Sequence, residues 1–113
     1  MQITKKVKDK FVILGISGNL NMNNVKLVKK VFDSEVEKGA KFIAIDMQNL
    51  TYIDSSGIGS FIGLMSKLKG IGGQIYLVNM SPDIEKIFSM TKLLAFFKVY
   101  HTMEEFLSAN NLQ

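Results

Sequence analysis

The order of apolar runs predicts an α/β fold, with a mixed, mainly parallel sheet of about four to five strands flanked by about four helices. One domain covering residues 1–113 accounts for the whole chain. Three observations lead there. Short runs of strand length alternate with longer segments of helical periodicity. Phe42-Ile43-Ala44-Ile45 is apolar at consecutive positions, which suits a central strand covered on both faces. Gly18-Asn19, Gly39, the Gly70-Ile71-Gly72-Gly73 run and the single proline fall at the boundaries of these segments, where they punctuate them.

Taken in order, Ile3 to Val7 and Phe11 to Ile16 read as a hairpin around the charged turn Lys8-Asp9-Lys10, closed by Gly18-Asn19. From Asn24 to Lys38, Val25, Leu27, Val28, Val31, Phe32 and Val36 recur at helical spacing. Asn21, Asn23 or Asn24 is available as cap and Gly39 as stop. Phe42 to Ile45 is the next strand and ends at Asp46. Met47 to Ile53 reads as a loop or short turn, and Ser56 to Lys69 as a helix stopped by Gly70-Ile71-Gly72-Gly73. Gln74 to Val78 is a strand. Ser81-Pro82-Asp83-Ile84-Glu85 starts a helix with proline in its first turn and acids matching the dipole, with Ile84, Ile87 and Phe88 as its apolar side. A strand around Phe96 to Tyr100 and a helix from Met103 to Ala109, capped by Thr102, complete the order β-β-α-β-α-β-α-β-α. The crossovers make most pairings parallel and leave the opening strand as an antiparallel edge.

Composition excludes several function classes. The chain has 47% hydrophobic and 21% charged residues and no cysteine, so disulfide and thiolate chemistry are absent and a cytoplasmic setting is expected. Its apolar stretches are too short to span a bilayer, and the N-terminal lysines precede no signal-peptide pattern. The net charge of +4 raises a nucleic-acid reading, but all 14 basic residues are lysine and are interleaved with acids, as in Lys26, Lys29, Lys30, Asp33, Glu35, Glu37 and Lys38. That pattern reads as a solvated helix face rather than a basic binding surface.

Asp54-Ser55-Ser56-Gly57-Ile58-Gly59 places two hydroxyls at the junction of a strand-like and a helix-like segment. A serine there can cap the helix, meet an anion at its unpaired N–H groups, or be phosphorylated. A hydrolase would need a base nearby, and the one histidine, His101, lies after the last strand; a Gly-x-Ser-x-Gly elbow is missing. There is no phosphate loop and no metal-ligand spacing. Gly57-x-Gly59 begins a dinucleotide fingerprint, but Ile62 takes the place of its third glycine. Asp46 and Asp54 read as turn caps rather than a cation pair. In a mainly parallel sheet, sites gather at the carboxyl ends of strands, so Asp46, the loop at Asn21 and the Ser55 motif are expected to meet.

On the helix after Ser55, Ile58, Phe61, Ile62 and Met65 fall on one side and Ser56, Gly59, Ser60 and Gly63 on the other. Glycines in an exposed helix cost about 1 kcal/mol each, so the small-residue stripe calls for a closely packed neighbour. Either another helix of the domain or a partner protein meets that requirement.

Gly18-x-Leu20, Phe42 to Asp46, Ile53 to Gly59, Gly72-Gly73-Gln74 to Asn79 and Ser81-Pro82 occur in the order and spacing of a known group. The chain resembles, over nearly its whole length, the bacterial anti-sigma factor antagonist family, the single-domain form of the STAS fold. The resemblance implies a protein that binds an anti-sigma factor serine kinase, frees a sigma factor, and is inactivated when the kinase phosphorylates the serine after the aspartate, here Ser55. Together, the small-residue stripe and the serine motif lead us to expect a partner-binding surface from Asn21, Asp54, Ser55, Ser56, Gly57, Gly59, Ser60 and Gly63, with no catalytic residue or metal. No cofactor belongs to the chain, ATP and Mg²⁺ being the kinase's. A PP2C-type phosphatase is a candidate second partner; neither nucleic acid nor membrane is one. Two positions depart from the family pattern: Asn21 stands where aspartate is frequent, and Lys92 where glycine is frequent in Thr91-Lys92-Leu93.

Overall fold

The computed structural model describes every residue from Met1 to Gln113. It opens with a hairpin: β1 (Gln2–Lys8) pairs antiparallel with β2 (Phe11–Leu20) across a turn in which Asp9 takes φ 54°. Then follow α1 (Val25–Glu37), β3 (Phe42–Asp46), β4 (Leu50–Ile53), α2 (Ser55–Gly70), β5 (Gln74–Val78), α3 (Pro82–Thr91), a 3-10 turn (Leu94–Phe96), β6 (Lys98–Tyr100) and α4 (Met103–Ala109). The six-stranded sheet runs β1-β2-β3-β5-β6, with β4 paired to β2 beside this path. Every pairing except β1 with β2 is parallel, as crossover helices require.

The continuous apolar runs are explained by two covered faces. Val12, Leu14, Ile16, Ile43, Ile45, Ile75 and Leu77 join the main core with residues of α1, α2 and α3, whereas Phe11, Ile13, Ala44, Tyr76 and Val78 face Phe106 of α4. Alternate residues of β2, β3 and β5 therefore serve opposite layers. Phe61 of α2 and Phe88 of α3 are both fully buried with ring centroids 6.2 Å apart, each side chain stabilising the fold by about 1.5–3 kcal/mol. This aromatic pair fixes α3 next to α2.

The Met47–Ile53 segment departs from expectation. Its second half is a strand, β4, paired parallel with the end of β2. Leu50 and Ile53 are buried and Thr51 and Tyr52 exposed, a spacing of three without the alternation of a half-buried strand, which hides the strand in the sequence. β2 continues past Ile16 to Leu20 because a register shift at Gly18, whose φ is +97°, turns it from β3 toward β4. The final strand is shorter than expected: Phe96 ends the 3-10 turn and the strand starts at Lys98.

Candidate functional site

β4 and β2 end side by side, and the Asp54 N–H donates to the Leu20 carbonyl at 3.1 Å. This places Asp54 as the N-cap of α2, with Ser55 as first helical residue rather than the cap. Asp54 Oδ1 accepts from the Ser56 N–H at 3.0 Å, the Gly57 N–H at 3.1 Å and the Ser56 hydroxyl at 2.5 Å. Oδ2 accepts from the Met22 N–H at 3.1 Å. The Ser56 hydroxyl first, then the Gly57, Met22 and Ser56 N–H groups, hold the Asp54 carboxyl below the usual aspartate range against a smaller opposing effect of desolvation.

The two serines are thereby distinguished. Ser56 is half-buried with its hydroxyl bonded to Asp54, while Ser55 is exposed and its hydroxyl bonds to no other group of the chain. The helix N–H groups that an anion could have used are also largely taken: Asp54 occupies those of Ser56 and Gly57.

The loop at Asn21 does meet the serine motif, through the Met22 bond. Within the loop, Asn21 Oδ1 accepts from the Asn23 N–H and Asn24 Oδ1 from the Asn21 N–H, both at 2.9 Å. Asn24 thus precedes α1 without capping its N–H groups. Asp46 does not join the site. It accepts from the Gln48 N–H and the Asn79 amide, both at 3.1 Å, and lines a separate cleft with Lys6 and Met103. His101 is exposed, its backbone N–H bonded to Glu105.

The small-residue stripe splits. Gly57 and Ser60 are turned inward, contrary to their expected place on a docking surface: a Cβ at Gly57 would lie 2.7 Å from Ile53 and 2.8 Å from Leu20, and the Ser60 hydroxyl donates to the Gly57 carbonyl at 2.6 Å. The inward face follows Ile58, Phe61, Leu64 and Leu68, so Ile62 and Met65 are only half-buried. Gly59 and Gly63 face open space. Together with Ser55 they mark every fourth residue along the exposed side of α2, beside a groove whose α1 wall is Lys29, Phe32 and Asp33 and whose far end is closed by the Lys67–Asp33 ion pair. α1 flanks the stripe, and its outer edge at Gly59 and Gly63 is bare.

On the other side of Ser55, a shallow groove of about 510 Å³ runs between the start of α2 and α3, lined by Tyr52, Ile58, Ile87 and Met90. Met22 and Met90 are about three-quarters exposed, at 75% and 76%, and Tyr52 is half-exposed. The serine therefore stands among uncovered apolar side chains that the sequence did not single out. Met22 lies in a polar loop and Met90 off the periodic face of α3, so neither exposure has a signal in the sequence pattern. The chain has no group of three or more His, Cys, Asp or Glu side chains placed to hold a metal, and no helix long and apolar enough to cross a membrane.

Known proteins are similar to this chain in sequence and fold. The family model described as the STAS domain matches residues 2–106. A candidate anti-sigma factor antagonist of Thermotoga maritima is 33% identical over 101 residues, covering 88% of this chain and 89% of the relative. The crystal structure of a candidate antagonist from the same organism superposes with a TM-score of 0.89 at 30% identity, covering 95% of this chain and 92% of that one. The Bacillus protein SpoIIAA in its phosphorylated form superposes with a TM-score of 0.74 at 25% identity, covering 96% of this chain and 98% of that one. By sequence and by fold, the chain belongs to the anti-sigma factor antagonist family of STAS domains.

Proposed function

We propose that this protein is a partner switch: unmodified, it binds an anti-sigma factor serine kinase and so releases a sigma factor, and phosphorylation at Ser55 ends that binding. The observation that carries the reading is the contrast between the two hydroxyls, Ser56 bonded to Asp54 and Ser55 exposed and unbonded beside an apolar surface. In the transfer, Ser55 Oγ attacks the γ-phosphorus of ATP and its proton passes to a base of the kinase. The Oγ–P bond forms as the bond to the β,γ-bridging oxygen breaks, and ADP leaves with that electron pair. This chain supplies the acceptor and the docking surface, and catalyses nothing itself.

The docking surface consists of Ser55, Gly59 and Gly63 on the exposed edge of α2, the Asn21 loop, and Met22, Tyr52 and Met90 around the groove. Asp54 and Ser56 shape it, while Gly57 and Ser60 contribute from inside by fixing α2. A phosphoryl group adds about −1.5 to −2 charges. Asp54 is the only charged side chain lining the groove, and none of the lysines does. The new charge therefore meets no cation here, and apolar partner surface docked there would have to desolvate it. A PP2C-type phosphatase is the fitting partner for resetting the switch.

Titration of the host's anti-sigma kinase with unmodified and Ser55-phosphorylated protein tests this. Tight binding of the unmodified form and at least tenfold weaker binding of the phosphorylated form are expected; equal affinities would remove the switch. Asn21 favours a second reading, a STAS scaffold that is not phosphorylated. If a carboxylate there aids the kinase, Asn21→Asp raises the single-turnover rate, and a wild type that takes no phosphate at all supports the scaffold.

A further inference from the structure

We propose that Asp54 is the positioning residue of the switch: by occupying the donors at the start of α2, it denies them to a phosphoryl group on Ser55 and so directs that group outward, toward a docked partner. The inference rests on the phosphorylation reading given above and deepens it. A phosphate at a helix start ordinarily gains N–H bonds and a favourable dipole. Here the Ser56 and Gly57 N–H groups already donate to Asp54 Oδ1, and the Ile58 N–H donates to the Asp54 carbonyl at 3.0 Å. Only the N–H of Ser55 itself takes no such bond.

The same carboxylate stands one residue from the phosphoryl group and carries like charge. Yielding its donors would also break its links to the Ser56 hydroxyl and to Met22, freeing the Asn21 loop. Four bonds therefore oppose the inward position. No counter-charge awaits at the outward one: of the side chains lining the groove from β4, α2 and α3, Asp54 alone is charged and Tyr52 is the only other that titrates. In this groove the modified serine is consequently neither capped by the helix nor met by a lysine. It remains exposed to a partner it repels and to a hydrolase that removes it.

The test installs phosphoserine at position 55 during synthesis and follows its phosphorus resonance and the amides of Met22, Ser56 and Gly57 through a pH titration. In the otherwise wild-type chain the second phosphate pKa is expected above the ordinary value of about 6, with the three amides unmoved by the titration. Asp54→Ala frees the donors and removes the like charge, so its value falls below that of wild type by about one unit. Asp54→Asn keeps an acceptor oxygen for the cap while losing the charge, and gives an intermediate value even where the alanine variant fails to fold. A wild-type value below 6 with moving Ser56 and Gly57 amides would mean that the phosphate displaces Asp54, and overturns the proposal. Equal values for wild type and Asp54→Asn overturn it too. None of these results depends on a kinase; failure of the phosphorylation reading shows separately, as an unmodified wild-type chain after incubation with kinase and ATP.

Discussion

The helices α2 and α3 both begin with serine and aspartate close together, but the two residue types have exchanged tasks. At α3 the serine caps: Ser81 Oγ accepts from the Ile84 N–H at 3.2 Å, Pro82 follows it, and Asp83 and Glu85 sit in the acidic first turn. Thr102 caps α4 in the same way, before Glu104 and Glu105. At α2 the aspartate caps, the first turn holds no acid, and the following serine has a free hydroxyl. A capping hydroxyl is structural. A hydroxyl released from capping by a neighbouring carboxylate, and left exposed, is available for chemistry. The comparison also explains why a serine at a helix start is an ambiguous signal on its own.

The largest effect is expected inside α2. Gly57→Ala drives a Cβ into Ile53 and Leu20, both almost fully buried, and should lower stability by about 1–3 kcal/mol. A thermal melt reads this, and an unchanged midpoint would mean that the α2 start is looser than the packing implies. Next come the two serines themselves. Ser81→Ala should cost about 1 kcal/mol through the lost cap, whereas Ser55→Ala should stay within about 0.5 kcal/mol of wild type. Urea unfolding of the pair measures the difference in task directly; equal losses would make Ser55 structural.

Gly63→Gln sharpens the contrast between inner and outer small residues. A Cβ at Gly63 meets open space, so the variant should gain up to about 1 kcal/mol. Partner affinity should nevertheless fall, because the side chain props the two surfaces apart. Unchanged affinity with intact folding removes the stripe from the interface. The smallest effect concerns acid. Because the folded Asp54 carboxyl lies below its ordinary range, its contribution is present above the unfolded pKa and lost as pH falls through the folded one. Protection of the Met22 amide from exchange should decline over that window in wild type and stay flat in Asp54→Asn.

Much of the fold was legible because local chemistry and tertiary packing agree. β3 and β5 are continuous apolar runs, and α3 and α4 carry hydroxyl caps with acidic first turns. β4 was not legible, since its existence depends on the bend of β2 at Gly18 rather than on any period in Leu50 to Ile53. The direction of the α2 stripe was misread by about one position. Ile62 and Met65 suggested a face that Leu64 and Leu68 in fact define, and Ser60 went inside with them. The apolar rim of Met22, Tyr52 and Met90 had no sequence signal, because exposure is a property of the assembled faces. Lys92, which stands where the family often has glycine, closes α3 at φ 58°, the conformation that favours glycine there.

The most direct measurement is phosphopeptide mapping after incubation of wild type, Ser55→Ala and Ser56→Ala with the anti-sigma kinase and ATP. The predicted result is one phosphoryl group on Ser55 in wild type and in Ser56→Ala, and none in Ser55→Ala, with all three chains folded. Phosphate on Ser56, or on neither serine, would contradict the assignment of the switch to the hydroxyl that Asp54 leaves free.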